Sequence, residues 1–238
     1  MAGDSLAYQI DYALELWVTQ APGPVDVGYT SAVPGCGLIE TGHLRPRDAA
    51  VVKGLGRKCR AVSDRNVVIR ATDPDVVLAV SGVADVADRR LPGEKHYRRP
   101  GDPVFDNFLV DQYRRQVKIL TAGGARIVWA EWPCVSPTPH LIDGGPLPSG
   151  FKQDRLQYLN QQILPRVVAA APTKVRLVDL GQSLCAGGRY QRSDPDGKVL
   201  RSADGLHLSS LGARRVRDQL IPDILAAAEP VRPVRPRR

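Results

Sequence analysis

Short apolar, β-branched runs alternate along the chain with longer stretches in which apolar residues recur every three or four positions. The runs cover residues 25–30, 75–81 (DVVLAVS), 126–132 (RIVWAEW) and 175–180 (VRLVDL), and each reads as a buried strand. Residues 6–19 set Ile10, Ala13, Leu14 and Trp17 on one helical face, and residues 105–120 do the same with Phe108, Leu109, Tyr113, Val117 and Leu120. The pattern recurs over 156–170 and 211–227. Helix and strand in alternation predict an α/β fold, a parallel sheet with helices on both faces. The Ala-Gly-Gly-Ala turn at 122–125 ends one helix and feeds the next strand, while the Pro/Gly-rich stretch 133–150 reads as a long surface loop. No internal repeat is visible. One domain is expected over residues 1–229, followed by an extended, poorly ordered Pro/Arg tail at 230–238.

A sheet of this kind opens with a buried strand, yet only Met1 and Ala2 precede Gly3-Asp4-Ser5. The first strand is therefore expected to be largely missing from this chain. Its loss would leave neighbouring backbone groups unpaired, which favours a longer natural polypeptide over a sheet built without it.

The 238 residues are 43% apolar and 24% charged, which excludes disordered, collagen-like and coiled-coil chains. No run reaches the ~18–20 apolar residues of a membrane span, and residues 1–4 do not begin a secretory signal. A net charge of +8 raises the question of nucleic acid, but no zinc-finger spacing or aromatic basic signature is present. The charge reads as a solvated basic surface, or as attraction to anionic cell-wall polymer or lipid headgroups. Cys36, Cys59, Cys134 and Cys185 lie far apart and show no metal or redox spacing. Their even number fits two disulfides in an oxidising compartment or four buried thiols in a cytosolic protein.

Two short motifs carry candidate chemistry. Gly3-Asp4-Ser5-Leu6 stands just before the first helix, where Gly3 permits a sharp turn and Ser5 is either an N-cap or an exposed nucleophile at the positive end of the helix dipole. Asp204-Gly205-Leu206-His207 stands just before the last helix, and is either a solvated loop or an imidazole with its orienting carboxylate.

In their order and placement these residues resemble the SGNH/GDSL hydrolase superfamily, across most of the chain. The resemblance implies a three-layer α/β/α sandwich with a flavodoxin-like parallel sheet. It makes Ser5 the nucleophile, His207 the general base and Asp204 its orienter. It places an oxyanion hole at the backbone N–H groups of Ser5 and Gly35, with Gly37 as the near alternative. The third block, usually Gly-x-Asn-Asp, reads Gly82-Val83-Ala84-Asp85, so Ala84 stands where a side-chain donor to the oxyanion is expected. Losing one such donor costs on the order of 10²–10³ in rate.

Gly35-Cys36-Gly37, Asp88-Arg89, Leu184-Cys185 and the run Arg201 to Ser209 narrow the resemblance to SGNH domains fused to bacterial acyltransferase family 3 membrane proteins. That branch implies an acylated carbohydrate or small ester as substrate, an integral-membrane acyltransferase domain as partner, and no nucleic acid, metal or organic cofactor. It also implies an extracytoplasmic location within a longer membrane-anchored protein; if Met1 is the true start, the location is cytoplasmic. By the family's strand order, Cys134 pairs with Cys185 and Cys36 with Cys59. The expected activity is that of a serine esterase or O-acyltransferase acting on acetyl esters of cell-surface carbohydrate. The alternatives are a non-catalytic carbohydrate-binding or scaffold domain with a degenerate site, and a cytosolic thioesterase or lipase with reduced cysteines. His43, His96 and His140 lack an acidic partner at family spacing and are expected to be dispensable.

Overall fold

A computed structural model describes residues 1–20, 23, 25–45, 59, 61–139 and 149–229. The tail at 230–238, His140 and residues 140–148 of the expected long loop lie outside the described residues. Strand β1 (Ala2–Gly3) leads into helix α1 (Ser5–Gln20), followed by β2 (His43–Leu44), α2 (Val62–Ala71), β3 (Val76–Val80), β4 (Arg89–Arg90), α3 (Pro103–Leu120) and β5 (Arg126–Glu131). Then come α4 (Gln153–Tyr158), a π turn (Leu159–Ile163), α5 (Leu164–Ala169), β6 (Val175–Asp179), α6 (Gly181–Leu184) and α7 (Ser210–Ala228).

The main sheet is parallel in the order β1-β3-β5-β6, with Ala2 beside Ala79, Val77 beside Ile127 and Trp129 beside Leu177. Central strands β3 and β5 are covered on both faces, so Val77–Val80 and Ile127–Ala130 are all buried. Their apolar runs are continuous for that reason. Helices α1 and α7 pack together on one face, and α2, α3 and α5 cluster on the other. This is the expected α/β/α sandwich. Strands β2 and β4 form a separate antiparallel ribbon at its side. The start of α3 is fixed by Asp102, whose carboxylate accepts from Val104 and Phe105 N–H ahead of Pro103 in the first turn.

The strand expected over 25–30 is not there. Those residues are irregular and half or fully exposed. The pairing falls four residues later: the Met1 amino group donates to Tyr29 O (3.1 Å), Ser31 N–H to Met1 O (2.8 Å) and Val33 N–H to Gly3 O (3.0 Å). Strand β1 is only two residues long, so it can hold only a short stretch of neighbour. Buried polar side chains hold the rest. Ser31 Oγ donates to Asn66 Oδ1 (2.6 Å), and Asn66 Nδ2 donates to Gln116 Oε1 (2.8 Å).

The helix expected over 156–170 begins earlier and is interrupted by the π turn, where Leu164 N–H reaches back to Leu159 O. Pro165, one residue on, has no N–H for the carbonyl four residues before it, and a widened turn accommodates that mismatch. Both disulfides join the expected partners, Cys36 with Cys59 at a Cα separation of 5.0 Å and Cys134 with Cys185 at 6.0 Å.

Candidate active site

Gly3 makes the turn between β1 and α1 possible. Its φ is +144°, and a Cβ there would sit 1.7 Å from the Val80 carbonyl oxygen. Asp4 follows with its backbone N–H on that same oxygen (3.2 Å) and its carboxylate on Leu6 N–H (3.0 Å). Asp4 therefore caps the helix, and Ser5 is its first residue. The N-cap alternative for Ser5 falls away, and the hydroxyl is left for other work. The second Asp4 oxygen accepts from Gly82 N–H (3.1 Å) and Trp132 Nε1–H (3.2 Å), tying the turn to the ends of β3 and β5. Burial pushes the Asp4 carboxyl up to about 7; the Leu6 N–H pulls it down and the charge of Asp85 adds to the rise.

Ser5 Oγ lies 2.8 Å from His207 Nε2, and His207 Nδ1 lies 2.6 Å from Asp204 Oδ2. The other Asp204 oxygen accepts from Ser202 Oγ (2.5 Å), Leu206 N–H (2.9 Å) and His207 N–H (3.0 Å). Burial would raise this carboxyl, but the bonds from His207, Ser202 and the backbone outweigh it and hold Asp204 down at about 2. An ionised Asp204 fixes the proton on Nδ1, which leaves Nε2 as the acceptor facing Ser5. Gly205 allows the loop to close, since at its φ of +72° a Cβ would meet the Ser136 side chain at 2.4 Å.

Two further side chains hold this loop, and neither role was read from the sequence. Gln9, one turn beyond Ser5 on α1, pairs through both amide atoms with the Leu208 backbone, accepting from its N–H (3.0 Å) and donating to its carbonyl (3.2 Å). Arg201, fully buried, donates through Nη2 to Cys134 O and Leu206 O, each at 2.9 Å. The spacing of Gln9 from Ser5 is a usable signal, because residues four apart share a helix face. Arg201 opens the run that narrows the family resemblance, but its buried bridge to Cys134 and Leu206 has no local signal.

The Gly35-Cys36-Gly37 segment and the third block meet over Asp85. Its buried carboxylate accepts from Leu38 N–H (3.0 Å), Ile39 N–H (3.1 Å) and Tyr113 Oη–H (3.0 Å), and from the Ser81 hydroxyl. Gly37 is packed against it, and a Cβ there would lie 1.8 Å from Asp85 Oδ1. Gly35 is different: half-exposed, at φ +77°, two residues beyond the Val33–Gly3 hydrogen bond. Gly37 is thus committed to packing, while Gly35 sits in the open turn. Gly82 lies under Trp132, whose ring would be 2.5 Å from an added Cβ. Ala84 is half-buried, with its carbonyl held by Arg89 Nη2 (3.0 Å), and Arg89 Nη1 reaches Thr41 O (2.9 Å). The methyl group of Ala84 donates no hydrogen bond.

The remaining described histidines lie away from this chain of contacts. His43 is exposed in β2, and exposed His96 has Glu94 at 3.7 Å. Among the described residues, no cluster of His, Cys, Asp or Glu is arranged to hold a metal ion.

Comparison with known proteins agrees with this architecture. The chain resembles the periplasmic domain of the lipopolysaccharide acetyltransferase of Salmonella ser. Paratyphi A at 12% identity, with a TM-score of 0.55, over 94% of this chain and 82% of that one. It also resembles a GDSL-like lipase from Bacteroides thetaiotaomicron at 12% identity and a TM-score of 0.51, over 95% of this chain and 86% of that one. These likenesses are of fold. Residues 1–222 match the model of the SGNH domain fused to AT3 domains, and the chain belongs to that family. By family it is an SGNH-type hydrolase or O-acyltransferase. No curated protein sequence matches it.

Proposed function

We propose that the protein is a serine esterase or O-acyltransferase that works through an acyl-enzyme on Ser5. The observation that carries this reading is the continuous hydrogen-bonded chain Ser5 Oγ–His207–Asp204. In the forward step His207 Nε2 takes the hydroxyl proton as Ser5 Oγ attacks an ester carbonyl. The backbone N–H groups of Ser5 and Gly35 stabilise the tetrahedral oxyanion. Its collapse breaks the ester bond, and His207 returns the proton to the departing alkoxide. A water or a sugar hydroxyl then gives its proton to His207 and takes the acyl group from Ser5. Asp204 stays ionised throughout and stabilises the imidazolium.

The substrate we assign is an acyl, in particular acetyl, ester of cell-surface carbohydrate. Support comes from the family, whose members are fused to AT3 domains, and from the likeness to a lipopolysaccharide acetyltransferase domain. The two disulfides support an extracytoplasmic location, with the membrane partner supplied by an AT3 domain. Among the described residues, no helix is long and apolar enough to cross a membrane.

Steady-state hydrolysis of a small acetyl ester tests the assignment. Ser5→Ala and His207→Ala each abolish turnover with unchanged far-UV circular dichroism, and the double variant loses no more than either alone, because the pair acts as a unit. Retention of most of the activity in Ser5→Ala would overturn it.

A further inference from the structure

A cleft of about 320 Å³ opens between the ends of β5 and β6, beside the Cys134–Cys185 disulfide. It falls at the small end of the ~300–1,000 Å³ range of ligand pockets. Gln157, Asn160, Gln161 and Gln182 line it together with the carboxylates of Glu131 and Asp179. The chain carries a net charge of +8, yet no Lys, Arg or His is among the described residues that line the cleft. We infer that this cleft is a sugar subsite, which holds one uncharged or amine-bearing pyranose ring of the glycan that donates or accepts the acyl group. The inference rests on the carbohydrate reading above and adds to it the place and the charge of the ring.

The lining chemistry selects for hydroxyls. Side-chain amides offer both a donor and an acceptor, and carboxylates accept from sugar O–H groups. Gln157, Gln161 and Gln182 line the cleft as exposed residues and make no side-chain hydrogen bond to any described residue. Asn160 donates to Trp132 O (2.8 Å), while its buried Oδ1 is without a partner among the described residues. The π turn brings Asn160 and Gln161 to this wall, and such turns recur at functional sites. Glu131 and Asp179 are register partners on adjacent strands, and burial, then the charge of Asp179, raises the Glu131 carboxyl. That pair would repel a ring carrying its own carboxylate and attract one carrying an amine.

Hydrogen bonds tie two residues of the cleft's lining to segments that carry Ser5 and His207. Trp132, whose carbonyl holds Asn160, donates its indole N–H to Asp4, the residue before Ser5. Cys134, also in the lining, is joined through Arg201 to Leu206, the neighbour of His207.

Saturation-transfer NMR on the full chain carrying Ser5→Ala tests the inference without calling on catalysis. The probes are neutral methyl pyranosides of gluco, galacto, manno and rhamno configuration, a methyl glucosaminide and a methyl glucuronide. At least one neutral ring and the glucosaminide should receive saturation, and the glucuronide should bind at least about fivefold more weakly. Gln157 and Gln161 are exposed, so changing both to Ala leaves the fold intact. Losing their two hydrogen bonds should weaken binding about tenfold or more. Gln182→Ala, in α6, should give about fivefold by the same reasoning. Saturation of no ring, equal binding of the glucuronide, or unaltered binding in both variants would overturn the subsite. A sugar that binds while Ser5 proves unreactive in the wild type would instead refute the catalytic reading alone.

Discussion

Asp4 and Asp204 flank the Ser5–His207 pair, and both are buried, yet their carboxyls lie at about 7 and about 2. Asp204 is surrounded by the donors of His207, Ser202 and Leu206, whereas Asp4 lies deeper and faces the charge of Asp85. The consequences for stability have opposite signs. Asp204, depressed below its unfolded value, stabilises the fold above about pH 4, and that contribution is lost as pH falls from 4 toward 2. Asp4, raised above its unfolded value, binds its proton more tightly in the folded state, so it erodes stability as pH rises from about 4 to about 7. Urea titrations of wild type and Asp204→Asn should show a stability gap that narrows by about 2 kcal/mol between pH 5 and pH 2. A constant gap would mean that Asp204 is not held ionised by the fold. The same substitution should lower kcat by on the order of 10³–10⁴, since the imidazole would lose its orienting anion. At the third block, Ala84→Asn should raise kcat on a simple acetyl ester with little change in KM, toward the ~10²-fold value of one oxyanion donor. No change or a fall would mean that the oxyanion is held by another group.

At the level of elements, α1 carries Ser5 and the loop before α7 carries His207, and Gln9 joins them. Gln9→Ala should lower kcat about tenfold while leaving KM nearly unchanged, because the pair it aligns acts only in the transition state. An equal rise in KM would assign Gln9 to substrate binding instead. Central strands, long amphipathic helices and both chemical motifs were legible because burial writes a period into apolar residues and because Ser, His and Asp are confined to sharp turns. Helix α2 was not legible: its buried face is Val62, Ser63, Asn66 and Ile69, and the two polar members erase the apolar period. They are inside because they complete the hydrogen-bond network from Ser31 to Gln116. The edge pairing at residues 29–33 was hidden for a related reason, since its interior position Ser31 is polar and Val25 and Val27 mimic a strand. The roles of Asp4 and Arg201 depend on contacts between distant segments, which no local pattern records.

Across the whole molecule, the two disulfides cross-link segments that neighbour the candidate site residues. Cys36–Cys59 anchors the residue next to Gly35, and Cys134–Cys185 anchors the segment that Arg201 joins to Leu206. With sequence separations of 23 and 51 residues, chain entropy gives them about 3 and about 4 kcal/mol respectively. Changing each pair to Ser should lower the stability read by urea unfolding in that order, and equal stability of oxidised and reduced protein would contradict the pairing. The central claim, that Ser5 is a nucleophile activated by His207 and Asp204, is tested most directly by intact-mass analysis after reaction with a fluorophosphonate. One adduct per chain, mapped to Ser5 and absent in Ser5→Ala and His207→Ala, is the result the geometry predicts. An unlabelled wild type, or an adduct that persists in Ser5→Ala, would contradict it.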